Sequence, residues 1–464
     1  MAGILALSSN PKVSDEDFSQ DFFWSVSYLQ HLGEKWSGVA VHREGSIFSQ
    51  CQRGLFRYCF GRKAEDLKGK AGIGYCGTAQ EPLWGKSRFG PWSICFTGNV
   101  IDSNELLKEF MEAGQTFKRG DDIEIIEKII AQGETIAEGL ELLAQKVRGS
   151  YSVLVLTLEG IYAALSADGR WPLILGQKEG SVILASETCG FDNFGFEIVR
   201  DLNPGEIVLL RDGSWETVGE VPVKRIQICS FLWVYTAFPN ARFYSVPASL
   251  VRKRLGGFLA RRDLEKGFIP HVVMPVPDSG RFHALGYNAE FWSQMAKGNI
   301  SRMPLFGEWL LRYRFSGRSF TRTRDGKRKR EAFVKILESG ETPEQIREQL
   351  EGVFGKDLSV LDVVVVDDSI VRGTQLSQNL VPKVRKMGFG RVHVRASNPQ
   401  LRSYCPWGQT TKKGEVLACR EPTPEGQRRF LGVDSLAYSR TEDLVRTIGL
   451  PKCDLCMDCA LNNE

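Results

Sequence analysis

Between residues 150 and 187 the chain falls into short apolar runs separated by turn pairs: SYSVLVLTL, Glu159-Gly160, IYAALSA, Asp168-Gly169, PLILGQ, Glu179-Gly180 and SVILASE. Runs of that length predict strands, and the two-residue links predict antiparallel neighbours. Upstream, ELLKEFMEA (105–113) and DIEIIEKIIAQ (122–132) place apolar residues at helical spacing, so helices are expected to cover the sheet. The texture changes near residue 225. HVVMPVPDSG (271–280) runs into helix-like sequence, and LDVVVVDDS (361–369) is followed by QLSQNLVPKVRKMG and then by the strand candidate RVHVRAS. Valine runs alternating with helices predict a parallel sheet buried on both faces. The expected organisation is an α+β domain over 1–225 and an α/β domain over 226–464, with no internal repeat and no low-complexity segment.

A chain of 464 residues has room for two or three domains with their own cores. Its 42% hydrophobic and 25% charged residues are ordinary for a globular protein. A net charge of +4 gives no reason to expect nucleic acid as a partner. No apolar run approaches the ~20 residues needed to span a bilayer, and the opening MAGILALSS lacks the basic start of a signal peptide. A cytoplasmic protein without a membrane partner is expected. In that setting the eleven cysteines read as thiols or metal ligands rather than disulfides.

The stretch DVVVVDDSIVRGTQ (362–375) puts two carboxylates at the end of a buried strand, directly before a small-residue loop that opens a helix. In open parallel sheets ligands bind beyond the carboxyl ends of the strands. Free backbone N–H groups in such a loop, with the helix's positive end, hold phosphate. Asp367 and Asp368 are placed to accept hydrogen bonds from vicinal ribose hydroxyls, so the segment reads as a cradle for a 5′-phosphoribosyl group. A double Asp at a strand end also suits Mg²⁺ or a helix cap. A second charged feature is GRSFTRTRDGKRKR (317–330), with seven basic residues against Asp325. It is either a solvated face or a cationic lid. A third is the C-x-x-C spacing of CDLC (453–456), which suits zinc or an iron–sulfur cluster once distant cysteines are brought in by the fold.

The octapeptide DDSIVRGT is very similar to the phosphoribosyl pyrophosphate signature of type I phosphoribosyltransferases, and within them it most resembles the amidophosphoribosyltransferase family of purine synthesis. PVPDSG (275–280) with ALGY (284–287) resembles that family's pyrophosphate loop, and RYRFSGRSF (312–320) its flexible-loop entrance. The resemblance implies that Asp278, Ser279 and Gly280 face the pyrophosphate. It further implies that Asp367 and Asp368 serve the ribose and Mg²⁺, that Ser369, Ile370, Val371, Arg372, Gly373 and Thr374 hold the 5′-phosphate, and that Ser319 sits near Mg²⁺. Arg318 and Lys335 are the implied catalytic cations of a lid that closes over the departing pyrophosphate. Resemblance to the branch carrying a structural 4Fe-4S cluster implies Cys229, Cys405, Cys453 and Cys456 as ligands, with Cys459 as a spare able to replace Cys456. His271 and His283 read as structural.

The first half resembles the glutaminase domain of the same family, an N-terminal-nucleophile αββα sandwich, segment by segment over 149–210. In that family a cysteine exposed at residue 2 attacks the amide. Here Ala2 stands at that position, and an alanine has no nucleophile. His31-Leu32-Gly33 stands where the family has HRG, Gly77 where an arginine grips the glutamine carboxylate, and Thr97-Gly98 where Asn-Gly supplies the oxyanion hole. Asp122 still matches the acid that holds the substrate's amino group. The expectation is a phosphoribosyltransferase with an inactive glutaminase half. It would take phosphoribosyl pyrophosphate and ammonia, free or from a separate glutaminase, to 5-phosphoribosylamine, and would form a homo-oligomer. Another amine or carbon nucleophile in a specialised pathway, or a non-catalytic nucleotide sensor, are the alternatives.

Overall fold

The computed structural model describes residues 2–61, 67–313, 336–407, 411 and 414–461. The first half is built on two antiparallel sheets. One has seven strands in the order Glu197–Asp201, Ile174–Lys178, Ser181–Ala185, Gly3–Ser9, Ala71–Gly77, Trp36–Arg43, Ser46–Arg53. The other has six, in the order Ser214–Glu220, Glu206–Arg211, Ile161–Leu165, Gly149–Leu156, Gly90–Val100, Leu83–Ser87. The strand Gly3–Ser9 shows why the sheets stack. Its residues alternate faces, so Ile4 and Ala6 join Leu154, Leu156, Ala163 and Val208 between the sheets. Leu5 and Leu7 point the other way, onto Phe18 and Phe22 of the helix Asp15–Tyr28. That helix starts where Ser14 accepts a hydrogen bond from the Asp17 N–H. Helices Ser103–Glu112, Asp122–Ile130 and Ile136–Lys146 cover the outer face of the second sheet, with Ile123, Ile126, Leu140 and Leu143 in its core. This is the αββα sandwich expected from the sequence.

The second half holds a five-stranded parallel sheet in the order Leu305–Phe306, Val272–Pro275, Asp362–Asp367, Arg391–Pro399, Ser435–Ser439. The four valines explain its placement. Val363 and Val365 pack with Leu358, Leu376, Leu380 and Val392 on one face, while Val364 and Val366 pack with Leu259, Ala284, Tyr287 and Phe291 on the other. A strand covered on both sides has no polar face. The helix expected after the loop 369–374 is interrupted by a widened turn over Leu376–Leu380 before continuing as Val381–Lys386. Pro382 sits at that junction, where its ring and missing N–H exclude a regular i to i−4 bond.

The last strand of the sandwich ends at Glu220, and Ile228–Cys229 then pairs in parallel with Leu455–Cys456, so the C-terminal segment returns to the junction of the two halves. Behind the parallel sheet, Arg395 makes a two-pronged ion pair with Asp263 at 2.6 and 2.9 Å, and the Tyr287 hydroxyl donates to the same carboxylate at 2.6 Å. All three are buried, so removing one partner strands a charge. Asp263→Ala is expected to cost about 3–5 kcal/mol of unfolding free energy in a urea titration, while Lys253→Ala on the exposed side of the same helix costs less than about 1 kcal/mol.

Candidate functional site

Asp367 is the last residue of its strand and Asp368 the next, and both are buried. The Asp368 N–H donates to Asp367 Oδ1 at 2.9 Å, and the Ser369 hydroxyl donates to Asp368 Oδ2 at 2.6 Å. A second loop closes on them from the neighbouring strand. Val276 N–H donates to the Val366 carbonyl at 2.9 Å, and Ser279 hydrogen-bonds the Asp368 carboxylate. Gly280 is required for that approach, since a Cβ there would lie 2.3 Å from the Val366 carbonyl oxygen. The peptide between Pro277 and Asp278 is cis, and Asp278 is exposed at the loop tip. The helix Arg281–Ala296 begins directly after Gly280, with its positive end toward the pocket.

The loop 369–374 runs from the acidic pair to a second helix start. Ile370 and Gly373 are buried, whereas Ser369, Val371, Arg372 and Thr374 are half-buried. Gly373 adopts φ +68°, and a Cβ there would press on Leu431 and Leu417. Arg372 reaches away to Glu415 at 2.5 Å, and the Leu417 N–H donates to the Val371 carbonyl at 2.7 Å, so the loop is pinned from outside. Burial, and then each other's charge, lift Asp367 well above the ordinary carboxylate range, and burial also raises Asp368. An acidic pair at a strand end, flanked by two helix starts and a hydroxyl, can accept hydrogen bonds from a diol, take up a divalent cation and hold phosphate.

Arg318, Ser319 and Lys335, with the basic run 317–330, lie outside the described residues. Their flanks are the antiparallel strands Leu310–Arg312 and Ile336–Glu338. The segment after them includes a helix, Pro343–Phe354, capped at Thr342 and anchored by Ile346 and Leu350. His283 is fully buried and pushed down to about 3, and His271 Nδ1 accepts from the Asp362 N–H, in keeping with structural roles.

In the sandwich, the Ala2 backbone N–H donates to Thr97 Oγ1 at 2.8 Å. Gly77 offers no side chain, and the space it vacates is filled: a Cβ there would meet the Tyr75 hydroxyl at 2.0 Å. His31 holds the Tyr28 carbonyl through Nδ1 and Glu187 through Nε2 at 3.1 Å. Asp122 accepts from the Val100 N–H at 3.2 Å. Burial pushes the Cys51 thiol up to about 12 and raises Cys76 and Cys95 as well, so none of them offers a thiolate at neutral pH. Glu81, which the sequence reading missed, is buried beneath this chamber and pushed up to about 8 by burial while accepting from the Phe96 N–H.

Four cysteines converge at the junction of the halves: Cys229, Cys405, Cys456 and Cys459. Cys229 faces Cys456 in register, and both Cys405 and Cys459 lie close enough to disfavour a charge on Cys229. Cys453 sits apart, exposed, with its thiol on Asp454. The structure therefore brings Cys459 into the expected set in place of Cys453. The repeated spacing of CDLCMDC, where residues 456 and 459 also make a C-x-x-C, was the signal for it. No three of these sulfurs come within 4.8 Å of one another; among the described residues only His31, Glu187 and Cys189 meet that spacing. One zinc ion with ~2.3 Å bonds needs a tighter set.

Arg252 also escaped the sequence reading. It lies buried on the helix Ala248–Glu265 with its guanidinium on the Trp233 and Ala237 carbonyls, near enough to Asp368 to favour its charge. Nothing in VRKRLGG distinguishes it from its neighbours.

A family model described as a glutamine amidotransferase domain matches residues 73–193. The amidophosphoribosyltransferase of Methanothermobacter thermautotrophicus is 32% identical over 98% of this chain and 93% of its own length. That of Bacillus subtilis is 26% identical over 96% and 90%. Among solved structures, the B. subtilis glutamine phosphoribosylpyrophosphate amidotransferase in complex with ADP and GMP superposes with a TM-score of 0.81 at 26% identity, covering 98% of this chain and 96% of that one. A structure described as the allosteric regulatory enzyme of purine biosynthesis superposes at 0.82 with 25% identity.

The raised carboxyls of the acidic pair bind protons in the folded chain that the unfolded chain releases, so the stability they contribute is full at low pH and is lost as pH rises through their raised values. Asp367→Asn keeps the acceptor for the Asp368 N–H and removes that penalty. Above the ordinary carboxylate range it is expected to stabilise the ligand-free protein and to flatten the decline of the thermal midpoint with rising pH. A lower midpoint with an unchanged slope would contradict this.

Proposed function

We propose a function from one premise: the chain belongs to the amidophosphoribosyltransferase family. It is an enzyme of the phosphoribosyltransferase type, in the chemistry of purine synthesis. The reading we add is that it makes 5-phosphoribosylamine from phosphoribosyl pyrophosphate and ammonia, with the amide-cleaving half inactive. The observation that carries the transferase half is the closure of Ser279 and Gly280 onto Asp368 at the end of the valine strand.

In this reading Asp367 and Asp368 accept the ribose hydroxyls and fix the sugar ring. The loop Ser369 to Thr374 holds the 5′-phosphate with its N–H groups and the following helix start. Asp278, Ser279 and Gly280, at the opening of the helix Arg281–Ala296, face the pyrophosphate. The acidic pair with Ser279 is a donor set suited to Mg²⁺, whose chemistry is to neutralise the pyrophosphate as it leaves. Arg252 favours the charged form of Asp368. Ammonia is itself nucleophilic, so no general base is required of the chain. The lid assignments Arg318, Ser319 and Lys335 rest on the sequence resemblance.

Three observations support an inactive glutaminase half. Residue 2 carries only a methyl group, the position for a carboxylate-gripping arginine is Gly77 with Tyr75 filling its space, and the nearby thiols are held protonated by burial. Ammonia then comes from solution or from a separate glutaminase.

The junction thiols fit a 4Fe-4S cluster: four sulfurs from three distant segments, spaced more widely than a mononuclear site. Cys229, Cys405, Cys456 and Cys459 would hold it, and its role would be to staple the C-terminal segment to the domain junction.

Pyrophosphate release from phosphoribosyl pyrophosphate and Mg²⁺ is expected with ammonium and absent with glutamine as sole nitrogen source. Turnover on glutamine overturns the inactive half; tight sugar-phosphate binding with no release for any amine favours the sensor alternative. For the cluster, Cys459→Ser is expected to lose iron and sulfide while Cys453→Ser retains both, as read by metal analysis and the visible spectrum.

A further inference from the structure

The junction thiols are lined on one side by a residue from the sandwich. Arg170 is buried, with only 2% of its surface exposed. Its backbone carbonyl accepts from the Cys229 N–H at 3.3 Å, which ties its position to one of the four sulfur-bearing residues. Its guanidinium lies over the ring of Trp407, two residues from Cys405, at 3.9 Å from the ring centroid. The Trp407 indole N–H in turn donates to Asp458, the neighbour of Cys459, at 2.7 Å. Arg170 therefore sits within a frame built from all three segments that carry the four cysteines. Its charge also lies within electrostatic reach of Cys456.

Within that frame the guanidinium is only partly matched. Nε donates to Asp168 Oδ2 and to Ser150 Oγ, each at 3.1 Å. Nη1 is buried and has no hydrogen-bond partner among the described residues. Asp168 is shared, since it also receives the Ser150 and Ser166 hydroxyls and spreads its charge over several donors. A buried, always protonated group with an idle N–H is costly unless something anionic completes its shell.

We infer that Arg170 is the buried counter-cation of the group held by the four junction cysteines, directing its unmatched N–H and its charge toward the sulfur ligands. The inference rests on the reading of that group as a 4Fe-4S cluster. Such a cluster with four thiolates is anionic, and its reduction potential responds to nearby charge and to hydrogen bonds at sulfur. A cation favours the more negative, reduced state and so raises the potential. Arg170 is a positioning and tuning residue contributed by the amide-cleaving half, which gives that half a task independent of glutamine.

The test is an anaerobic one-electron redox titration of the intact, iron-loaded chain, followed by visible absorbance, for wild type, R170Q, R170K and D168N. R170Q removes the charge and is expected to shift the midpoint to more negative potential. R170K keeps the charge and is expected to stay nearer wild type. D168N leaves the guanidinium less neutralised and is expected to shift the midpoint the other way, to more positive potential. Damage to packing alone would move R170Q and D168N together, so shifts of the same sign, or an unchanged midpoint in R170Q, overturn the inference. Should R170Q retain too little iron to titrate, the sign of the D168N shift decides: positive supports the assignment, and zero or negative overturns it. A wild-type protein without iron and sulfide removes the cluster reading itself, a separate outcome read before any variant.

Discussion

The burial of a parallel sheet on both faces governs where this molecule can do chemistry. Because Val363 to Val366 are covered alternately by two hydrophobic layers, the strand is apolar throughout between Asp362 at its start and Asp367 at its end. The next polar groups, Asp367 and Asp368, are then forced to the sheet's carboxyl edge, still in low dielectric, with their charge disfavoured. That electrostatic cost is the other side of their capacity to bind. A site that holds unhappy carboxylates in a fixed geometry is ready for a diol and a divalent cation. The two loops that complete the site do so by glycine, where the backbone of 280 meets Val366 and where 373 turns under the helix start.

Much of this was legible in the sequence because periodicity reports burial. The valine run reads as a doubly covered strand, and the turn pairs Glu159-Gly160 and Glu179-Gly180 do join antiparallel neighbours, whereas Asp168-Gly169 carries the chain from one sheet to the other, a step that no local pattern announces. The acidic pair and its loop were legible because their residue types are costly unless they bind something. Arg252 was not legible, since its role depends on which face of a helix meets the strand end. That Cys459 stands in for Cys453 rather than for Cys456 was not legible for a related reason: two overlapping C-x-x-C pairs are equivalent in one dimension. Only the pairing of Ile228–Cys229 with Leu455–Cys456 decides which sulfurs face inward. The widened turn at Leu376–Leu380 was signalled by Pro382, but a proline in a helical pattern does not say whether the helix breaks or accommodates.

The proposed loss of amide cleavage raises a physical question about the rest of that domain. The helix-side core of the first sheet is one continuous cluster that contains Leu5, Phe18 and Phe22 from the sandwich together with Phe231, Trp233, Val251 and Leu255 from the second half. Removing the sandwich would expose that apolar surface, including Trp233 and, on the helix that carries Arg252, Val251 and Leu255. Polar ties follow the same boundary: Glu187 accepts from the Phe238 N–H at 2.7 Å, Asp201 from the Tyr244 N–H at 2.9 Å, and Asn99 donates to the Pro406 carbonyl at 2.9 Å. Arg252 itself hangs from the Trp233 and Ala237 carbonyls, which are fixed by this shared core. The sandwich therefore supports the phosphoribosyl site whether or not it cleaves an amide. Ala2 fits its position as a small, buried residue hydrogen-bonded through its backbone. The requirement for its fold is set by the neighbouring domain's apolar surface, and chemistry at residue 2 is separable from it.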